Sequence, residues 1–137
     1  MSSSLEEAVR THKALAHPVR LRLLAMLEGG ELCVCQMTAA TGLAPSTVSA
    51  HLSDLKSAGL LAERKDGRWV RYAWNAVPEA RRARAEVGRR LAGDPQIVAD
   101  ARLLRQLRQV GVEALCQVDL DLGRLGIRRS SPAQARS

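Results

Sequence analysis

Residues 42–74, GLAPSTVSAHLSDLKSAGLLAERKDGRWVRYAW, change hydrophobic period half-way along. Up to Gly59 the apolar residues Val48, Leu52 and Leu55 recur at helical spacing, behind a Pro45 that sits where a first helical residue tolerates proline. After Gly59, two strand-like runs, 60–65 and 68–74, flank Asp66-Gly67, the strongest short hairpin signal. This stretch therefore predicts a helix followed at once by a two-stranded antiparallel wing.

Working toward the N-terminus, Leu5, Ala8, Val9, His12 and Leu15 place a helix over 5–16, and Pro18 opens a second. Val19, Leu23, Met26 and Leu27 share a face of that second helix until Gly29-Gly30 stops it. Residues 31–41 read as a short third helix ended by Gly42. Two short helices joined by a tight glycine-containing turn form a helix-turn-helix. Toward the C-terminus, Pro78 starts a helix made basic by Arg81, Arg82, Arg84, Arg89 and Arg90, and Gly93-Asp94-Pro95 separates it from a last helix. That helix is expected to run from about Gln96 to about Cys116 or a little beyond. Its stripe of Ile97, Ala101, Leu104, Leu107 and Leu115 is incomplete, so a second protomer is expected to cover it. The last residues, 123–137, GRLGIRRSSPAQARS, are polar and basic and are expected to be disordered, leaving 1–122 as one domain.

Composition agrees with a small, mainly helical domain. The 137 residues contain no Phe, one Tyr and two Trp, so Leu, Ala and Val must build the interior. Lys and Arg outnumber Asp and Glu by 21 to 14, for a net charge of +7, which suits a polyanionic partner. The N-terminus lacks a secretory pattern and no segment approaches membrane-spanning length, so a cytoplasmic location is expected. In that reducing compartment the odd number of cysteines, three, leaves metal binding, redox chemistry or plain packing as their roles.

On the helix after the tight turn, Val48 and Leu52 should face inward, leaving Ser46, Thr47, Ser49, Ala50 and His51 toward a DNA groove. Short hydroxyl side chains reach phosphates or base edges, and Ala50 suits a thymine methyl. Lys65 and Arg68 flank the hairpin turn, where cations reach the backbone of double-stranded DNA and add affinity without sequence choice. Trp69, Tyr72 and Trp74 read as core cover, and His12 and His17 as structural. Cys33 and Cys35, in ELCVCQM at 31–37, would stand about 200° apart on a regular helix, so a centre bridging them must bend or unwind its first turn.

ALAHPVRLRLLAML at 14–27, ELCVC at 31–35, STVSAHLSDLKSAGLL at 46–61 and RKDGRWVRY at 64–72 resemble the arsenic-responsive repressors of the ArsR/SmtB family, over roughly residues 5–75. The resemblance implies a winged helix-turn-helix, mainly α with a two-stranded β wing and homodimeric through its terminal helices. It also implies binding of operator DNA and release when a metalloid, As(III) or Sb(III), occupies the thiols; no organic cofactor is expected. The family's arsenic motif usually continues to a third Cys where this chain has Met37. Three outcomes stay open: Cys116 as third sulfur from either protomer, an exogenous third ligand, or selection of a methylated trivalent arsenical. Family members that sense zinc through the last helix use His and acidic ligands there, and Asp100, Glu113, Asp119 and Asp121 alone do not supply that set. Ala44 stands where the family often has a capping Ser.

The rivals are the same fold sensing Cd(II), Pb(II) or oxidants, a DNA-binding module with inert cysteines, and a thiol-dependent arsenic-processing enzyme. The enzyme is disfavoured because the chain has neither a CxxC nor a phosphate-binding loop beside a thiol.

Overall fold

The structure, a computed structural model, describes residues 4–129. Its elements are α1 (Leu5–Leu15), α2 (Pro18–Met26), β1 (Leu32–Cys33), α3 (Val34–Thr41), α4 (Pro45–Ser57), β2 (Leu61–Asp66), β3 (Trp69–Trp74), α5 (Pro78–Leu91), α6 (Pro95–Val110) and α7 (Val112–Gln117). Short 3-10 turns follow α2 at Leu27–Gly29 and α7 at Leu122–Leu125. The mainly helical architecture with an antiparallel wing is the one the sequence predicts.

Local chemistry sets most boundaries. Ser4 caps α1 in a reciprocal capping box with Glu7, and His17 Nδ1 accepts from the backbone of Val19 to cap α2. Asp94 Oδ1 accepts from Gln96 and Ile97 at the start of α6. Gly42, at φ 72°, closes α3 in the left-handed conformation and lets the chain turn directly into α4.

The interior is aliphatic. Leu23, Leu24, Leu52, Leu55, Leu60, Leu107 and Leu115 are fully buried, and Tyr72 and Trp74 close the wing side, Trp74 donating its indole N–H to the carbonyl of Leu24. One ionic contact is almost enclosed: Arg22 meets Asp100 through two 2.9 Å hydrogen bonds, and Gln96 donates to the same carboxylate, joining α2 to α6.

Three departures from the sequence reading matter. Residues 31–41 are not one helix: Leu32 and Cys33 pair with Tyr72 and Arg71 of β3, so the sheet has three strands in the order β1-β3-β2. The backbone N–H and carbonyl groups of β3's free edge draw in this short stretch, which periodicity over so few residues cannot reveal. The last helix is not continuous: Gly111, at φ 87° and ψ 160°, ends α6 and re-aims the chain into α7. Finally, the expected disorder does not begin at Gly123. Leu122 and Ile127 are each only 7% exposed in the core, so two apolar side chains five residues apart anchor this part of the tail; residues 130–137 lie outside the described residues.

Candidate nucleic-acid interface and thiol cluster

The helix α4 presents the face the sequence assigned to it. Val48, Leu52 and Leu55 are buried, whereas Ser46, Thr47, Ser49 and Ala50 are exposed. Ala44 occupies the N-cap with no side-chain hydrogen bond, so the N-cap itself satisfies none of the first N–H groups of α4 through a side chain. His51 is half-buried, its ring 4.4 Å from that of His17. Burial, then the charges of His17 and Arg20, hold its pKa below the ordinary range.

The hairpin register pairs Asp66 with Trp69, which makes Gly67 and Arg68 the two loop residues and shifts the expected turn by one position. Gly67 has φ 62°, the positive value that a tight hairpin turn demands. Lys65 and Arg68 are both exposed, and Arg68 lies over the Trp69 ring at 4.8 Å, a stacking that holds the guanidinium at the tip of the wing. Arg64 forks onto Glu31 and Arg71 bonds Asp66, so these wing cations are neutralised within the chain.

The cysteines occupy three different kinds of position. Cys33 is the N-cap of α3: its sulfur accepts from the backbone of Gln36, and the Gln36 side chain accepts from the Cys33 N–H at 2.8 Å. It is 1% exposed, at a strand-to-helix junction, so the 200° separation expected on a regular helix does not apply. Cys35 follows inside the first turn of α3. Its sulfur lies 3.6 Å from that of Cys116, which α7 delivers from the same chain. Burial raises the Cys35 thiol first, with the Cys116 hydrogen bond and the Cys33 thiol adding to it, to about 12. Met37, where a third thiol was of interest, is fully buried in the core.

Two soft ligands sharing one tetrahedral centre at about 2.3 Å stand roughly 3.8 Å apart, so the Cys35–Cys116 spacing suits a soft centre. Among the described residues, however, no three His, Cys, Asp or Glu side chains are gathered as a ready cation site. Cys33 completes a trio only by giving up its cap.

Cys33-x-x-Gln36 has the spacing of a capping box with sulfur in place of a hydroxyl, a signal available in the sequence. Nothing local marked Arg22 and Asp100 as partners or Arg129 as a contact of α3.

A helix-turn-helix with an exposed second helix, followed by a wing whose tip carries exposed cations, defines a DNA-binding regulator of the winged-helix class. Residues 17–63 match the family described as bacterial regulatory protein, arsR family. The chain is 44% identical over 61 residues to the arsenic resistance transcriptional regulator ArsR1 of Pseudomonas putida, covering 44% of this chain and 48% of that protein. It is 39% identical over 88 residues to the arsenical resistance operon repressor of Escherichia coli, covering 57% and 75%. Among solved structures, HlyU of Vibrio cholerae superposes with a TM-score of 0.59 at 31% identity, covering 65% of this chain and 96% of that one. The homodimeric winged helix-turn-helix DNA-binding domain Mb0332 of Mycobacterium bovis gives 0.56 at 37%, covering 72% and 83%. The chain belongs to the ArsR family of transcriptional regulators, DNA-binding proteins rather than enzymes. Among the described residues no helix is long and apolar enough to cross a membrane.

Proposed function

We propose that the protein is a cytoplasmic, homodimeric repressor that binds operator DNA through α4 and the wing and is released when a trivalent metalloid, As(III), Sb(III) or a methylated arsenical, binds its thiols. The observation that carries this reading is the approach of Cys116 to Cys35 beside Cys33, which brings the chain's three thiols to the start of α3. In this reading Ser46, Thr47, Ser49, Ala50 and His51 face the groove, while Lys65 and Arg68 hold phosphates.

The raised thiol favours a metalloid over a divalent cation. A divalent cation must displace the thiol proton, which a thiol held near 12 resists. Arsenous acid instead exchanges each hydroxyl for a sulfur, the thiol proton leaving with it as water, with no change of oxidation state. Cys35 and Cys116 supply two sulfurs; Cys33 supplies a third by releasing the Gln36 N–H and so loosening the start of α3. Thermodynamic linkage then requires the metalloid to bind the DNA-free form more tightly. Dimerisation is supported by an apolar groove of about 410 Å³ along α2 and α6, lined by Ala25, Met26, Ile97, Ala101 and Leu104, and by the outward Leu5 and Val9 of α1. Neither face is covered by the described residues.

One observation also favours a second reading. The Cys35 and Cys116 sulfurs need to close from 3.6 Å to about 2 Å to form a disulfide, so an oxidant can address the same pair.

The test uses a DNA duplex that the protein itself selects from a randomised pool. Arsenite, methylarsenite, antimonite, cadmium and peroxide are added to wild type and to Cys33→Ser, Cys35→Ser and Cys116→Ser. Release by the metalloids, lost in Cys35→Ser and Cys116→Ser, is expected. Wild-type binding indifferent to all metalloids would sink the reading, and release by peroxide alone would replace it with the redox one.

A further inference from the structure

The chain from Cys116 to Arg129 touches both ends of α3. At its start stands the Cys116–Cys35 contact. At its end the Arg129 guanidinium donates from Nη1 to the carbonyl of Ala40 and from Nη2 to that of Ala39. The last carbonyls of a helix lack partners within the helix and form its negative pole, so a guanidinium there is well placed. Arg129 also lies over Gly42: a Cβ at that glycine would come within 3.4 Å of Arg129 Cζ. Gly42 is the turn that aims α4.

The stretch between these contacts is built to hold its shape. Asp119 and Leu120 adopt φ 51° and 63°, a left-handed pair without glycine, which persists only where surroundings over-determine it. Leu120 N–H donates to Leu115 and Asp119 N–H to Cys116, locking the bend onto α7. Leu122 and Ile127 are buried in the core, and the Ile127 N–H donates to the Leu122 carbonyl across the 3-10 turn.

We infer that residues 116–129 form a clasp that couples the thiol cluster to the turn before α4, with Arg129 as its positioning residue at the DNA end. A ligand that draws Cys116 toward Cys33 and Cys35 displaces α7. The locked bend passes that displacement to Arg129, which holds the carbonyls just before Gly42. The clasp is thus a second mechanical link beside the loosened Cys33 cap, acting on the opposite end of the same helix. It rests on the reading of the thiols as the inducer site.

The test compares full-length wild type, Arg129→Gln and Arg129→Lys. Three quantities are read: affinity for the selected duplex without arsenite, the same with saturating arsenite, and arsenite affinity by ultraviolet absorbance. Arg129→Gln should keep its arsenite affinity and its arsenite-free duplex affinity, while the ratio of duplex affinities without and with arsenite falls by about 3- to 30-fold; Arg129→Lys should restore most of it. An undiminished ratio in Arg129→Gln overturns the clasp, as does a loss matched by an equal loss of arsenite binding. Independently of any variant, arsenite added to wild type should change amide exchange at Gly42 and Leu43, and unaltered protection there overturns the clasp. A wild-type ratio of one removes the inducer reading itself, and the clasp with it.

Discussion

At the scale of the residue, the thiols and the wing tip carry the two halves of the proposed function. Cys35 has its pKa raised to about 12 chiefly by burial, so between about pH 6 and about pH 8 it stays protonated in the apo protein. Arsenite affinity is therefore expected to be nearly flat over that window, because no net proton is released. Cadmium affinity should rise with pH by up to about tenfold per unit for each thiol it deprotonates, read by titration at several pH values. The same shift affects stability. Folded Cys35 binds its proton more tightly than the unfolded chain, so its contribution is complete below the unfolded value near 9 and is lost as pH climbs toward 12. Cys35→Ser should flatten the alkaline limb of a pH–stability curve.

Arg68 reports on the other half of the function. Its exposed guanidinium stacked on Trp69 is expected to meet phosphate. Arg68→Ala should weaken binding to all duplexes alike and lower the salt slope by about one. A sequence-selective loss would mean that Arg68 reads bases instead.

At the scale of the element, two breaks in expected helices set the positions of the three thiols. Cys33 ends a strand and caps α3, which places both thiols at one helix start. Gly111 ends α6 and turns α7 so that Cys116 reaches Cys35. The glycine gives a clean discriminating variant. In a continuous helix Gly111→Ala would stabilise by roughly 0.5–1 kcal/mol, whereas at φ 87° and ψ 160° it should destabilise by about 1–3 kcal/mol in urea unfolding. The sign decides between the two arrangements.

The helix α4 and the wing, by contrast, were legible almost residue by residue. Their signals are local: a three-to-four apolar spacing, a proline at a helix start, a glycine between two strand runs. Even so, the loop residues are Gly67 and Arg68 rather than Asp66 and Gly67, because register is fixed by pairing with β3 and not by the turn dipeptide alone. The stripe expected on the last helix divides between two surroundings: its members Leu104, Leu107 and Leu115 are buried in the core, whereas Ile97 and Ala101 are not. Ala99, Leu103 and Leu107 face the core, while Ile97 and Ala101 line the open groove.

At the scale of the whole molecule, the pairing of Arg22 with Asp100 ties the helix-turn-helix half to the terminal helices. Asp100 is 5% exposed and would be left as an uncompensated charge by Arg22→Met, which should cost about 3 kcal/mol in urea unfolding. A cost below about 1 kcal/mol would show that water reaches the carboxylate.

The sequence by itself determined the winged helix-turn-helix, the exposed face of α4 and the candidacy of the cysteines, since each depends on residues close together in the chain. Only the tertiary structure decided that Cys116 meets Cys35 across 81 positions, that Cys33 is a cap instead of a helix-face ligand, and that Arg129 closes on the end of α3. Those contacts follow from packing Leu115, Leu122 and Ile127 into a shared core, and burial of an apolar side chain names no partner until the fold brings one to it.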